Sequence, residues 1–178
     1  MNFLTLIDQL SELFAWVAKV MLLALVFSMI YEVCARYIFD SPTLWAFDIS
    51  YMLNGTIFLL GAGFTLKADA HVRIDFLSTR LALKHQQWIN AFFYLFILFP
   101  IFIIFAYIST TKSINAFNTG EVESVSPWAP LVWPFYSAIA TGLWVLAFQF
   151  LADGYRYLKG LKTPGDHNGE MINTEENL

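Results

Sequence analysis

The sequence predicts an all-α integral membrane protein, with four transmembrane helices and an amphipathic interfacial helix between the second and the third. Three observations predict it. Apolar residues fill 58% of the 178 positions, above the ~45–50% of soluble domains. Charged residues supply 13%, phenylalanine alone occurs 18 times, and the mean hydropathy is +0.58. The apolar residues also gather into four stretches of the ~20 residues that a bilayer crossing requires. Backbone in hydrocarbon must bond to itself, so such stretches are helices. The alternating segments of a membrane barrel are absent. A formal net charge of −4 offers no basic footprint for nucleic acid. Cys34 is the single cysteine, which excludes an intrachain disulfide and a cysteine-based metal site.

The first helix is read over about 13–33. Its leader carries Asp8 and Glu12 and no Lys or Arg, and its end, Tyr31-Glu32-Val33-Cys34-Ala35-Arg36-Tyr37, is bulky and charged. It therefore reads as a retained helix and not as a cleaved signal peptide. Lys19 lies near its start, where a long stem can carry the ammonium to the inner headgroups. Glu32 and Arg36 stand four apart with the acid first, the favourable order for a helical pair. Asp48, beyond the first loop, is a second partner for Arg36, so the three are expected to form a polar clamp between helices one and two.

The second helix is read over about 44–66, with Trp45 as an interfacial anchor. Asn54, Gly55, Gly61 and Ala62 make it a packing helix: small residues admit a close backbone, and an Asn can bond across helices. His71, Arg73 and Asp75 then form a polar turn that leads into the interfacial helix, about 71–87. Its basic residues Arg80 and Lys84 suit lipid headgroups, with a cytoplasmic extension of helix three as the alternative. The third helix, about 88–109, opens at Trp88 and carries Pro100, which is expected to kink it. The loop that follows holds Pro127, Pro130 and Pro134, the interfacial Trp128 and Trp133, and the acids Glu121 and Glu123. The fourth helix spans about 132–152. Residues 1–161 thus form one membrane domain, and 162–178 a flexible polar tail.

Loop charge sets the orientation. Lys67, Arg73, Arg80 and Lys84 in the middle segment and Arg156, Lys159 and Lys162 near the C-terminus oppose Arg36 and Lys112 on the other side. Both termini are therefore expected in the cytoplasm, and the loops around Asp40 and Glu121/Glu123 outside. No phosphate loop, dinucleotide fingerprint, metalloprotease motif or nucleophile–base pair appears, and none of His71, His85 and His167 falls in a helix core. No catalytic, cofactor or metal site is expected. With few polar groups in its helices, the chain reads as a scaffold that works with something else.

The stretch from Arg36 to Leu77 carries a family resemblance. Arg36-Tyr37 ends helix one, Ser41-Pro42 follows, then Trp45, Asp48, Gly61 and the string His71-Val72-Arg73-Ile74-Asp75. In these features the chain resembles the small membrane subunit of tripartite ATP-independent periplasmic (TRAP) transporters. Where that family often has a glutamate pair after the tryptophan, this chain has Ala46-Phe47-Asp48. Gly120-Glu121-Val122-Glu123-Ser124 with Trp128, Pro130 and Trp133-Pro134-Phe135 is similar to the branch named for mannitol, chloroaromatic and oxo acids.

The resemblance implies a non-catalytic bacterial inner-membrane subunit. It would brace a large elevator-type membrane subunit that holds the sodium and organic-acid sites. A periplasmic binding protein would deliver the solute, docking in part on Asp40, Glu121 and Glu123. Helices one and two, through Gly55 and Ala62, are expected to face the large subunit. Sodium belongs to that subunit; a bound phospholipid is compatible with this one, and nucleic acid is not a partner. The competing readings are a self-sufficient homo-oligomeric channel or carrier and, third, a membrane-bound enzyme or electron-transfer subunit.

Overall fold

The computed structural model describes residues 3–70 and 82–163. It has four long helices, each long and apolar enough to cross a membrane: α1 Phe3–Tyr37, α2 Ala46–Lys67, α3 Leu83–Thr119 and α4 Trp133–Leu158. Helix α4 is the centre of the bundle. It packs against all three others, while α1 lies chiefly on α2 and α3 chiefly on α4.

Three of the four helices run well past the apolar stretches. α1 begins at Phe3 and not near 13, α3 extends to Thr119, and α4 runs to Leu158. A 35-residue helix is about 52 Å long, so α1 exceeds the ~30 Å of hydrocarbon. Polar end residues are helical because they find partners on neighbouring helices. The interfacial helix read over 71–87 falls outside the described residues from 71 to 81. Its last residues, Leu83–Gln87, are the first turn of α3. His71, Arg73, Asp75 and Arg80 are likewise outside the described residues, as is the tail from 164 on.

Three helix ends close by one device. After α2, α3 and α4 a residue adopts positive φ: Asp69 at 55°, Gly120 at 64° and Gly160 at 66°. Each is followed by an amide reaching back five residues: Ala70 N–H to the Thr65 carbonyl, Glu121 to Ala116 and Leu161 to Arg156. This is the Schellman arrangement, which normally selects glycine. Pro134 sits in the first turn of α4, where its missing N–H costs no helical bond. Pro100 stands mid-helix. The six residues before the Phe99-Pro100 pair, Phe93–Leu98, form a π-helical segment, whose wider turn absorbs the lost donor and the ring.

The core follows from small residues and aromatic plates. Leu66, Leu146 and Phe150 are buried together, with Ala62, Tyr94, Leu98, Phe99 and Phe102 packed around them. Gly142 lets α4 ride directly on α2, since a Cβ there would sit 2.8 Å from the Leu59 carbonyl carbon. At Gly63 three helices meet: a Cβ would lie 2.9 Å from Val145 Cγ1 and 3.3 Å from Ser11 Oγ. A Cβ on Gly154 would lie 2.7 Å from Leu95 of the π-helical segment, so the widened turn and the glycine fit one another.

Candidate functional site

Polar chemistry is concentrated in two layers, one at each end of the bundle. We call the end where α1 starts and α4 finishes basal, and the other distal. The four charged residues buried among the described ones, Glu32, Asp48, Asp69 and Asp153, all lie in these layers.

The distal layer is built from the ends of α1 and α2 and the loop between α3 and α4. Arg36 donates from Nε to Glu32 Oε1 at 2.9 Å and from Nη2 to the same oxygen. The other Glu32 oxygen accepts from the Thr43 amide at 3.0 Å and from the Thr43 hydroxyl. The Ala46 amide donates to the Thr43 hydroxyl at 3.3 Å and so ties the start of α2 to the pair. Asp48 is not the second partner of Arg36. Its carboxylate accepts from the Ser126 hydroxyl and thereby joins α2 to the α3–α4 loop. The short Asp arm on the first turn of α2 points to that loop, whereas Thr43 already occupies the free oxygen of Glu32.

The α3–α4 loop is itself pinned. Val132 N–H donates to the Glu121 carbonyl at 3.1 Å and Glu123 N–H to the Pro130 carbonyl at 2.9 Å, around a β-bridge between Val122 and Leu131. Glu121 and Asp40 are exposed, and Asp40 takes φ 49°. A cleft of about 520 Å³ separates this loop from α2, between Phe47, Asp48, Tyr51 and Glu123, Val125, Pro127. Three of the aromatic anchors line the same end. Trp45 stacks on Tyr31 at 5.7 Å, Trp133 meets Phe117 edge-on at 5.3 Å, and Trp128 is exposed.

The basal layer is the larger and was not anticipated. Asp153 on α4 is fully buried between two cations: Arg156 Nη1 donates to Oδ1 at 2.8 Å and Lys162 Nζ to Oδ2 at 2.8 Å. Arg156 also reaches Asp8 on α1, at 3.1 Å from Nη1. Gln149, buried, donates to Asp8 and Asp153 at 3.3 Å each and accepts from Ser11 Oγ at 2.8 Å. Lys162 lies 4.0 Å from Asp69 and donates to the Lys67 carbonyl at 3.4 Å, while Lys67 pairs with Glu12 at 2.5 Å. The chain after α4 thus folds back beneath α2 and locks α1, α2 and α4 together. A charge pair this well satisfied is held by its geometry, and removing one member leaves a buried charge unpaired.

The sequence carried a signal for this layer. Gln149, Asp153 and Arg156 share one face of α4, and Asp8, Ser11 and Glu12 one face of α1. Ending helix four near 152 and starting helix one near 13 leaves Asp153, Arg156, Asp8, Ser11 and Glu12 outside the helices, which hides the pattern.

The remaining expected residues fall as follows. Lys19 is exposed, its ammonium 5.9 Å from the Phe64 ring centroid, about two turns inward of Glu12. Lys84 and Trp88 are exposed on the first turns of α3. A Cβ on Gly55 would lie 3.0 Å from the Phe135 ring, and Ala62 packs against the core, so both are turned toward α4 and not outward. Asn54 is exposed, and Gly61 faces open space.

Residues 10–160 match the family described as "Tripartite ATP-independent periplasmic transporters, DctQ component". A relative, the sialic acid TRAP transporter permease protein SiaT of Haemophilus influenzae (strain 86-028NP), is 27% identical over 97 residues. That stretch covers 54% of this chain and 15% of the relative. The chain therefore spans a small part of the protein it matches. Four membrane-crossing helices, a tightly locked bundle and a family match over most of the length agree: the chain belongs to the DctQ component family, the small permease subunits of TRAP transporters, and is a multi-pass inner-membrane protein.

Proposed function

We propose that this chain is the non-moving brace of a sodium-driven organic-acid importer. It pairs with a large elevator-type membrane subunit that holds sodium and solute. A periplasmic binding protein docks on the distal loops, and both termini are cytoplasmic. The observation that carries this reading is the distribution of polar groups. The buried charges form two end layers that fasten helices to one another. Such a bundle resists deformation, which a fixed support needs and a carrier that changes shape does not.

The family match supports the pairing, and so does the relative, in which the matching stretch is part of a much longer permease chain. Glu121 and Asp40 supply exposed negative charge at the distal end for docking. The solute class is organic acids, and the loop residues around Glu121–Phe135 favour the mannitol, chloroaromatic and oxo-acid branch.

The test is a pull-down of the C-terminally tagged chain from detergent-solubilised native membranes. A much larger polytopic protein is expected in about equal amount, and the pair, reconstituted with its binding protein, is expected to take up solute only under an inward sodium gradient. Recovery of this chain alone, as a defined homo-oligomer that transports by itself, overturns the reading. Reversing the charges of Glu121 and Glu123 is expected to weaken binding-protein docking several-fold with the pair intact; unchanged affinity removes the distal loop from the docking surface.

A further inference from the structure

Asn54 lies on α2 about 12 Å along the helix from its distal start. It is exposed there and has no hydrogen-bond partner among the described residues. An amide in hydrocarbon without a partner is costly, and a lipid tail offers none. The same face of α2 continues, at helical spacing, through Phe58 and Gly61. Phe58 is 76% exposed, and nothing lies within 4 Å of a Cβ built on Gly61. Beside this stripe a groove of about 580 Å³ runs between α1 and α2. Leu25 and Met29 form one wall, Phe47, Tyr51 and Asn54 the other, and the Glu32–Arg36 pair closes its distal end.

We propose that this outward α1–α2 face receives a transmembrane helix of the large permease subunit. That helix places a hydrogen-bonding side chain opposite Asn54 and its backbone close to Gly61. The proposal rests on the pairing stated above and says where it occurs. Three features select the occupant. The groove is apolar with one amide in its wall, which fits a helix bearing one polar residue. A glycine bordered by open space admits a backbone at close range. In the relative the matching segment is part of a longer permease chain, which makes permease helices the neighbours this face is proposed to meet. The contact residues are thus Asn54, Phe58 and Gly61, not Gly55 and Ala62, which the α2–α4 contact already uses.

The experiment is site-specific photo-crosslinking in native membranes. Phe58→p-benzoylphenylalanine is compared with the same replacement at Phe105, exposed on α3. The expected result is an adduct of the large subunit from position 58 and none from 105. Asn54→Leu is expected to cut co-purification of the large subunit at least tenfold, Asn54→Gln to retain most of it, and neither to move the melting temperature of the isolated chain. If the large subunit co-purifies but crosslinks from 105 and not from 58, the face is wrong and the pairing stands. If position 58 crosslinks to a second copy of this chain, the proposal is overturned in favour of self-association. If no large subunit is recovered at all, the pairing itself fails, and the proposal with it.

Discussion

Asp153 shows how much one buried carboxylate can hold. It takes an arginine and a lysine from opposite sides and an amide from Gln149. Asp153→Ala leaves two cations facing one another, with Asp8 beside the arginine and Asp69 beside the lysine. Removing one member of a buried ion pair costs about 3 kcal/mol or more, and the loss is read as a lowered unfolding midpoint of the purified chain in detergent. Asp69 adds a second test. Its φ of 55° is the conformation that suits glycine. An aspartate held there has a reason beyond the turn, and the buried carboxylate 4.0 Å from Lys162 supplies one. Asp69→Ala and Asp69→Gly lose the carboxylate alike and differ only in backbone strain. Asp69→Ala is therefore expected to be less stable than Asp69→Gly by about 1 kcal/mol. Equal midpoints would show that the turn relaxes without cost.

At the scale of helices, the glycines of α2 and α4 divide into those that face a neighbour and those that do not. Gly142→Ala would drive a methyl into the Leu59 backbone, which cannot step aside as a side chain could. It is expected to destabilise the chain by about 1–3 kcal/mol. Gly61→Ala meets nothing in the isolated chain and is expected to stabilise it slightly, by up to about 1 kcal/mol, through helix propensity. The same denaturation series measures both, and loss of stability in Gly61→Ala would place Gly61 inside the bundle. These positions also show what was legible in advance. The number of helices and their order were readable, because hydropathy alone decides which stretches cross. Their ends were not. Asp8, Ser11, Asp153 and Arg156 read as loop residues until a neighbouring helix is known to answer them. The direction each small residue faces on α2 was equally hidden, because Gly55, Ala62 and Gly61 differ only in which helix lies beside them.

For the molecule as a whole, the two polar layers fix where the bilayer lies. About 20 residues separate Glu12 from Glu32 on α1, Asp48 from Lys67 on α2 and Trp133 from Asp153 on α4. Each interval is about 30 Å of helix, the thickness of the hydrocarbon core. Three helices reach the same spacing independently, so the layers mark the two headgroup regions. The orientation proposed above, with the basal layer in the cytoplasm, rests on charge. Lys67, Arg156, Lys159 and Lys162 gather at the basal end, where Lys84 also lies, and an excess of Lys and Arg marks the cytoplasmic side. In a Cys34→Ser background, Glu123→Cys is expected to react with a membrane-impermeant maleimide added to cells whose outer membrane has been permeabilised. Lys159→Cys is expected to react only after the inner membrane is opened as well. The reverse pattern would put the acids of the α3–α4 loop in the cytoplasm, out of reach of any periplasmic protein, and the docking role assigned to Glu121 and Glu123 would fall with the orientation. The brace itself would survive, since the locks at both ends join the same helices whichever way the bundle stands.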